Sequence, residues 1–122
     1  MKRQPLILYI DHNTDSCEIV EFLMQQIGFK VISSQSAQDA INLARSTSFS
    51  MIISEYLLQD VDALQMCLDI KAFDPHVPIV FYSAEARQEH KTRGMSAGAR
   101  AYLVKPNDLE NIEKTVLDLA LA

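Results

Sequence analysis

Four short apolar runs in this 122-residue chain stop at residues that can do chemistry. LILYI (6–10) runs into Asp11 and His12, MIIS (51–54) into Glu55, VPIVFY (77–82) into Ser83, and AYLV (101–104) into Lys105 and Pro106. Two carboxylates, an imidazole, a hydroxyl and an ammonium could share one small site, with the carboxylates offered to a hard cation and the other groups to anionic oxygens. Singly, each has a dull explanation: a carboxylate after a strand often caps the next helix, and Lys-Pro is often a turn. Together they carry information only if the fold brings them to one edge.

The intervening segments say that it does. LILYI (6–10), FKVIS (29–33), MIIS (51–54), VPIVFYS (77–83) and AYLV (101–104) read as strands. They are mostly continuous apolar runs, which suits strands covered on both faces. Between them lie helical patterns. One carries Ile19, Val20, Leu23, Met24 and Ile27 inward, with Asn13, Thr14 and Asp15 as cap candidates, Asp15 and Glu18 as a capping box, and Gly28 as the stop. The next starts at Ser36 and turns Ala37, Ala40, Ile41 and Ala44 inward. A third starts at Asp62 and carries Leu64, Cys67, Leu68 and Ile70. A weaker one covers Glu85 to Ala97, and a last runs from Asp108 to Leu121. Alternating strands and helices predict an α/β fold: a doubly wound parallel sheet with right-handed crossovers, helices on both faces, and a site beyond the carboxyl ends of the strands.

Length and composition suit a single domain over residues 1–122. Net charge is −5 and pI about 5.0, which argues against sequence-independent nucleic-acid binding. The charge is uneven. From Glu85 to Lys105 five basic residues (Arg87, Lys91, Arg93, Arg100, Lys105) face two acids, so this stretch is +3 and the remainder −8. That is either a solvated helix face or a docking face for an acidic partner. Cys17 and Cys67 lack metal or disulfide spacing and read as small buried hydrophobes. The apolar run after the basic N-terminus ends after five residues, too short for a signal-peptide core or a membrane span, so a cytoplasmic protein is expected. Ser83 has no obvious histidine base, since His76 precedes its strand and His90 falls in the next helix; both read as surface residues. There is no GxGxxG or GxxxxGK[ST], and the turn Asp11-His12-Asn13-Thr14 lacks glycines to cradle a phosphate. A flavodoxin-like cofactor-binding module is therefore a remote alternative.

The stretches LILYIDHN, MIISEYLLQDVDAL, VPIVFYSA and AGARAYLVKP together resemble the receiver (CheY-like) domain of two-component response regulators over nearly the whole chain. AGARAYLVKP is the most specific, with its Ala-Gly-Ala, aromatic and Lys-Pro at the family spacing. The resemblance implies a flavodoxin-like (βα)5 sandwich with strand order 2-1-3-4-5. It implies a protein that is not an enzyme in its own right but takes a phosphoryl group from a histidine kinase onto an aspartate after strand 3, assisted by Mg²⁺ on an acidic pair after strand 1. By position, Lys105 and Ser83 are the residues that meet phosphoryl oxygens, and Tyr102 is the aromatic that reorients with them. Implied partners are a histidine kinase, an output domain or another signalling protein. Helix 4, strand 5 and helix 5 form the implied docking or homodimer face, here with Arg87, Lys91, Arg93 and Arg100.

Two departures matter. The acidic pair is Asp11-His12, and the phosphoacceptor position holds Glu55 instead of aspartate. Gln59 and Ala63 also replace a usual Pro and Gly. A glutamate carboxylate reaches about 1.5 Å further, one C–C bond, enough to misalign an in-line transfer. It would lie where phosphoryl oxygens belong and accept bonds from Lys105 and Ser83. Loss of a carboxylate at position 12 leaves Asp11 and Glu55 as a weak or absent Mg²⁺ site, and Asp11 with His12, two ligands only, makes a poor Zn²⁺ site. No other cofactor is expected. The sequence therefore predicts a degenerate receiver that works without phosphorylation, by protein–protein contact. The alternative is a working phosphoacceptor, with Glu55 itself, Asp60 or Asp62 taking the phosphoryl group.

Overall fold

The computed structural model describes residues 5–120. Five parallel strands, β1 (Leu6–Ile10), β2 (Lys30–Ser34), β3 (Met51–Ser54), β4 (Ile79–Ser83) and β5 (Ala101–Val104), lie in the order β2-β1-β3-β4-β5. The helices between and after them are α1 (Thr14–Gln26), α2 (Ala37–Ser46), α3 (Ala63–Phe73), α4 (Gln88–Ser96) and α5 (Asn111–Ala120). The expected α/β class, doubly wound order and number of elements all hold. The expected final residue of helix 5, Leu121, lies outside the described residues.

Alternation along each strand divides the core in two. Leu8, Ile10, Ile52, Ile79 and Phe81 face α2 and α3, meeting Ala37, Ala40, Ile41, Met66, Cys67 and Ile70. Ile7, Tyr9, Met51, Ile53, Val80 and Tyr82 face α1 and α5, meeting Cys17, Val20, Met24, Ile112 and Val116. The inner strands β3 and β4 are wholly buried, whereas the edge strand β2 is mostly half-exposed. Both cysteines are free and buried.

Local corrections follow from tertiary packing. The cap of α1 is Asn13, whose side chain accepts from the Ser16 N–H at 2.9 Å; Asp15 sits inside the first turn, so the expected Asp15–Glu18 capping box does not form. Ile19 and Leu68, expected inward, are exposed, because α1 and α3 each cover the sheet with a narrower stripe and Met66 takes the inward position on α3. Helix 4 begins at Gln88, three residues later than expected, since Glu85 is held in the preceding loop by its N–H bond to Ser83 Oγ. Gly28 and Gly98 end α1 and α4 with φ of 88° and 108°, a region that favours glycine.

The loop after β3 braces the carboxyl edge. Asp62 caps α3, accepting from Leu64 N at 2.9 Å and Gln65 N at 3.2 Å. Asp60 reaches across to α2, accepting from Ser36 Oγ, Ala37 N and Gln38 N, each at 3.0 Å. Asp60 thus adds a second, long-range cap to a helix that already has Ser36, whose Oγ accepts from Asp39 N. The bond from the Gln38 N–H, with those from Ala37 and Ser36, holds the Asp60 carboxyl below its usual pKa. Its contribution to stability is therefore present above the ordinary value of 3.8 and is lost as pH falls through the depressed value. Asp60→Ala should cost about 1 kcal/mol near neutral pH, as loss of a helix cap does. Urea unfolding of the two proteins should converge in acid.

Candidate functional site

Register places four of the five predicted residues together. β1, β3 and β4 are paired so that Ile10 lies beside Ser54 and Ser54 beside Phe81, and Ser83 pairs with Val104. Asp11, Glu55, Ser83 and Lys105 therefore leave the sheet at one edge. Asp11 and Glu55 are buried, at 1% and 4% exposure, and Ser83 is fully enclosed. The Lys105–Pro106 bond is cis.

The Lys105 ammonium stands between the two carboxylates, 2.6 Å from Asp11 Oδ2 and 3.0 Å from Glu55 Oε2. It also donates to Ser16 Oγ at 3.3 Å and lies 5.4 Å from the centre of the Tyr82 ring. Burial is the largest single influence on Lys105 and pulls its pKa down, but its bonds to Asp11 and Glu55 outweigh it and the net shift is upward. Glu55 is enclosed from the other side as well. Its Oε1 accepts from Tyr56 N at 2.8 Å and Leu57 N at 3.0 Å, and a very short bond comes from Ser83 Oγ. The extra methylene thus folds the carboxylate back over its own chain while leaving it in reach of Ser83 and Lys105. Asp11 accepts from Asn13 N at 3.0 Å through Oδ1 and from Tyr9 Oη at 2.7 Å through Oδ2. Among the described residues no buried side-chain N or O lacks a partner.

Tyr9 was not anticipated as part of the site. Its signal was there: residues i and i+2 of a strand share a face, and an isolated tyrosine sits two before Asp11 in an otherwise aliphatic strand. Burial first, then the Asp11 charge, push its phenol pKa far up, so it is a permanent donor to Asp11.

His12 does not join the cluster. It is 44% exposed at the side chain, and its Nδ1 lies 4.0 Å from Asp11 Oδ1. Asp60 and Asp62 are both engaged at helix starts. Tyr102 lies beside the site, donating to the Glu85 carbonyl at 2.7 Å, its phenol pushed up to about 12, chiefly by burial. Of the basic residues, Arg87 precedes α4 and pairs with Glu85, Lys91 and Arg93 lie on α4, and Arg100 precedes β5 at the opposite end of the sheet. His76 is exposed as expected. His90 is half-buried rather than fully exposed: 18% of its side chain is exposed, between Glu85 and Tyr56.

The family's Mg²⁺ site uses three carboxylates. Here the donor set does not fit it: two carboxylates are bridged by an ammonium, the third position is a histidine turned to solvent, and no cluster of three or more metal-ligating side chains occurs among the described residues.

A 2-1-3-4-5 parallel sheet with a buried carboxylate–lysine cluster at its carboxyl edge defines a CheY-like α/β module. The chain belongs to the response regulator receiver domain family, whose family model matches residues 7–117. The transcriptional regulatory protein ZraR of Salmonella typhimurium is 30% identical over 116 residues, 95% of this chain and 26% of ZraR. The two-component response regulator ARR10 of Arabidopsis thaliana is 26% identical over 109 residues, 88% of this chain and 20% of ARR10. The chain thus spans a fifth to a quarter of the length of these curated relatives. A two-component response regulator structure from Clostridium difficile superposes with TM-score 0.88 at 25% identity, covering 95% of each chain. Chemotaxis protein CheY4 of Vibrio cholerae, with TM-score 0.87 at 23% identity over 96% of this chain and 99% of that one, supports the fold.

The shared ammonium makes a sharp energetic prediction. Lys105→Met leaves two buried carboxylates unpaired and should destabilise by about 3 kcal/mol. Glu55→Gln in that background should recover part of the loss, giving a clearly non-additive double-mutant cycle in urea. Because the Lys105 pKa is raised on folding, its contribution is full below the ordinary value of 10.5 and is lost as pH climbs through the raised value. The gap between Lys105→Met and the parent should therefore close only in strong alkali.

Proposed function

We propose that this chain is a degenerate receiver, one that signals by protein–protein contact without cycling through an acyl phosphate. The observation that carries this reading is the engagement of Glu55 by both residues that would otherwise meet a phosphoryl group, Ser83 and Lys105. A carboxylate already supplies the negative oxygens there, and the longer side chain sets them where an incoming phosphoryl group would have to sit. Mg²⁺ binds poorly, because Lys105 already offsets half the charge of the pair and His12 adds no hard oxygen. Glu55 imitates a phosphoryl group incompletely, with two oxygens and one charge against three oxygens and nearly two charges. Even so, Ser83 drawn to Glu55 and Tyr102 bonded to the Glu85 carbonyl favour an engaged resting state over an idle one.

On this reading the domain is not itself an enzyme. Its partners are proteins of a two-component pathway: a histidine kinase, an output domain or another signalling protein. They, or a second copy of the chain, dock on α4, β5 and α5, where Arg87, Lys91 and Arg93 gather. Arg100 lies at the far end of the same strand. No helix among the described residues is long and apolar enough to cross a membrane, and a cytoplasmic site of action is proposed with the function. The working-phosphoacceptor alternative gains nothing from Asp60 or Asp62, whose carboxylates hold the starts of α2 and α3.

Intact mass after incubation with acetyl phosphate and Mg²⁺ tests the proposal. The natural chain should gain no phosphoryl increment, and a Glu55→Asp, His12→Asp variant should gain one. A phosphoryl adduct on the natural chain would overturn the reading.

A further inference from the structure

Helix α4 carries a residue that its own stability argues against. Gly94 lies buried in the last turn of a nine-residue helix whose start has no side-chain cap. Glycine is the poorest helix former after proline, so the space it leaves should serve something. Two rings occupy that space. A Cβ at position 94 would lie 3.1 Å from Phe81 Cδ2 and 3.3 Å from Tyr102 Cδ2, closer than side chains ordinarily pack.

The Tyr102 ring, itself half-buried, packs against two further rings. Its centroid is 5.8 Å from Phe81 and 5.7 Å from Tyr56. Tyr56 also meets Phe81 edge-on at 5.4 Å and His90 at 5.3 Å. Such pairs favour offset and edge-on geometry, and together they fix one orientation for each ring. Hydrogen bonds close the circle. Tyr56 Oη is 3.2 Å from His90 Nδ1, His90 Nε2 is 3.2 Å from Glu85 Oε1, and the Glu85 carbonyl accepts from Tyr102 Oη at 2.7 Å. None of these contacts uses the Glu55 carboxylate.

We propose that Tyr102 is held inward by this seat, with Gly94 as its floor and Tyr56, Phe81 and His90 as its walls, and that Gly94 and His90 are the residues that set its position independently of Glu55. The inference goes beyond the reading of Glu55 as a phosphoryl substitute. In a receiver whose aromatic follows the chemistry at the phosphoacceptor position, emptying that position frees the ring. Here the ring has its own restraint, and the face formed by α4 and β5 is preset for a partner whatever residue 55 does. Two backbone links join the seat to the site, Tyr56 N to Glu55 Oε1 and Glu85 N to Ser83 Oγ, and the Tyr102 phenol also feels the Ser83 side chain, so the site and the seat must be perturbed separately.

Photochemically induced nuclear polarisation with a flavin dye reads which tyrosine rings meet solvent, and Tyr102→Phe assigns the Tyr102 signal. The expected result is weak Tyr102 polarisation in the parent, no change in Glu55→Ala, and a severalfold rise in Gly94→Leu, whose side chain needs the space the two rings occupy. A rise in Glu55→Ala overturns the proposal, because the site then controls the ring. An unchanged signal in a folded Gly94→Leu protein also overturns it. If Gly94→Leu fails to fold, Tyr56→Leu with His90→Ala removes two walls instead; Tyr102 must then become exposed, and continued protection counts against the seat. Phosphorylation of the natural chain would remove the degenerate-receiver reading without altering any of these comparisons.

Discussion

One ammonium shared between two buried carboxylates organises the carboxyl edge of this sheet. Asp11 and Glu55 lie at the ends of adjacent strands, both nearly without solvent, and like charges so placed repel strongly in a low-dielectric setting. Lys105 answers both at once from the end of β5, two strands further along. The arrangement depends on the doubly wound order, because only that order converges the ends of β1, β3, β4 and β5. The surrounding donors stabilise the negative charge that remains: Tyr9 and the Asn13 N–H on Asp11, and Ser83 with two backbone N–H groups on Glu55.

On the proposed reading, a cluster this well satisfied is a poor starting point for transfer chemistry, which needs a carboxylate with free lone pairs and a cation ready to take up charge. The same features make it a good static brace. Each carboxylate near the cluster that could have been an alternative acceptor is committed to structure, with Asp62 on α3 and Asp60 on α2. The loop after β3 thus ties the site to two helix starts, and its departures from the family pattern at Gln59 and Ala63 lie in this bracing segment.

The other half of the edge belongs to aromatic packing. Tyr56 follows Glu55 in sequence yet turns into a group with Phe81, His90 and Tyr102 under α4. Charge is satisfied on one side of Glu55 and ring packing on the other, and the Tyr56 and Glu85 N–H groups join the two. Arg87 is drawn into this second group through Glu85, which leaves Lys91 and Arg93 as the basic residues of α4 without an ion pair among the described residues.

Much was legible from the chain alone. Continuous apolar strands alternating with amphipathic helices dictated a parallel sheet, and the rule that sites form beyond its carboxyl edge was enough to gather Asp11, Glu55, Ser83 and Lys105. The departures at positions 12 and 55 were legible too, because a methylene and a lost carboxylate have predictable reach and charge. What the sequence left open were contacts that skip between elements. The Asp60 reach to α2, the Tyr9 bond to Asp11, the burial of His90 against Tyr56, the exposure of Ile19 and the space above Gly94 all depend on which faces tertiary packing brings together. Periodicity assigns a residue to a face of its own helix or strand; only the packed structure decides what stands opposite.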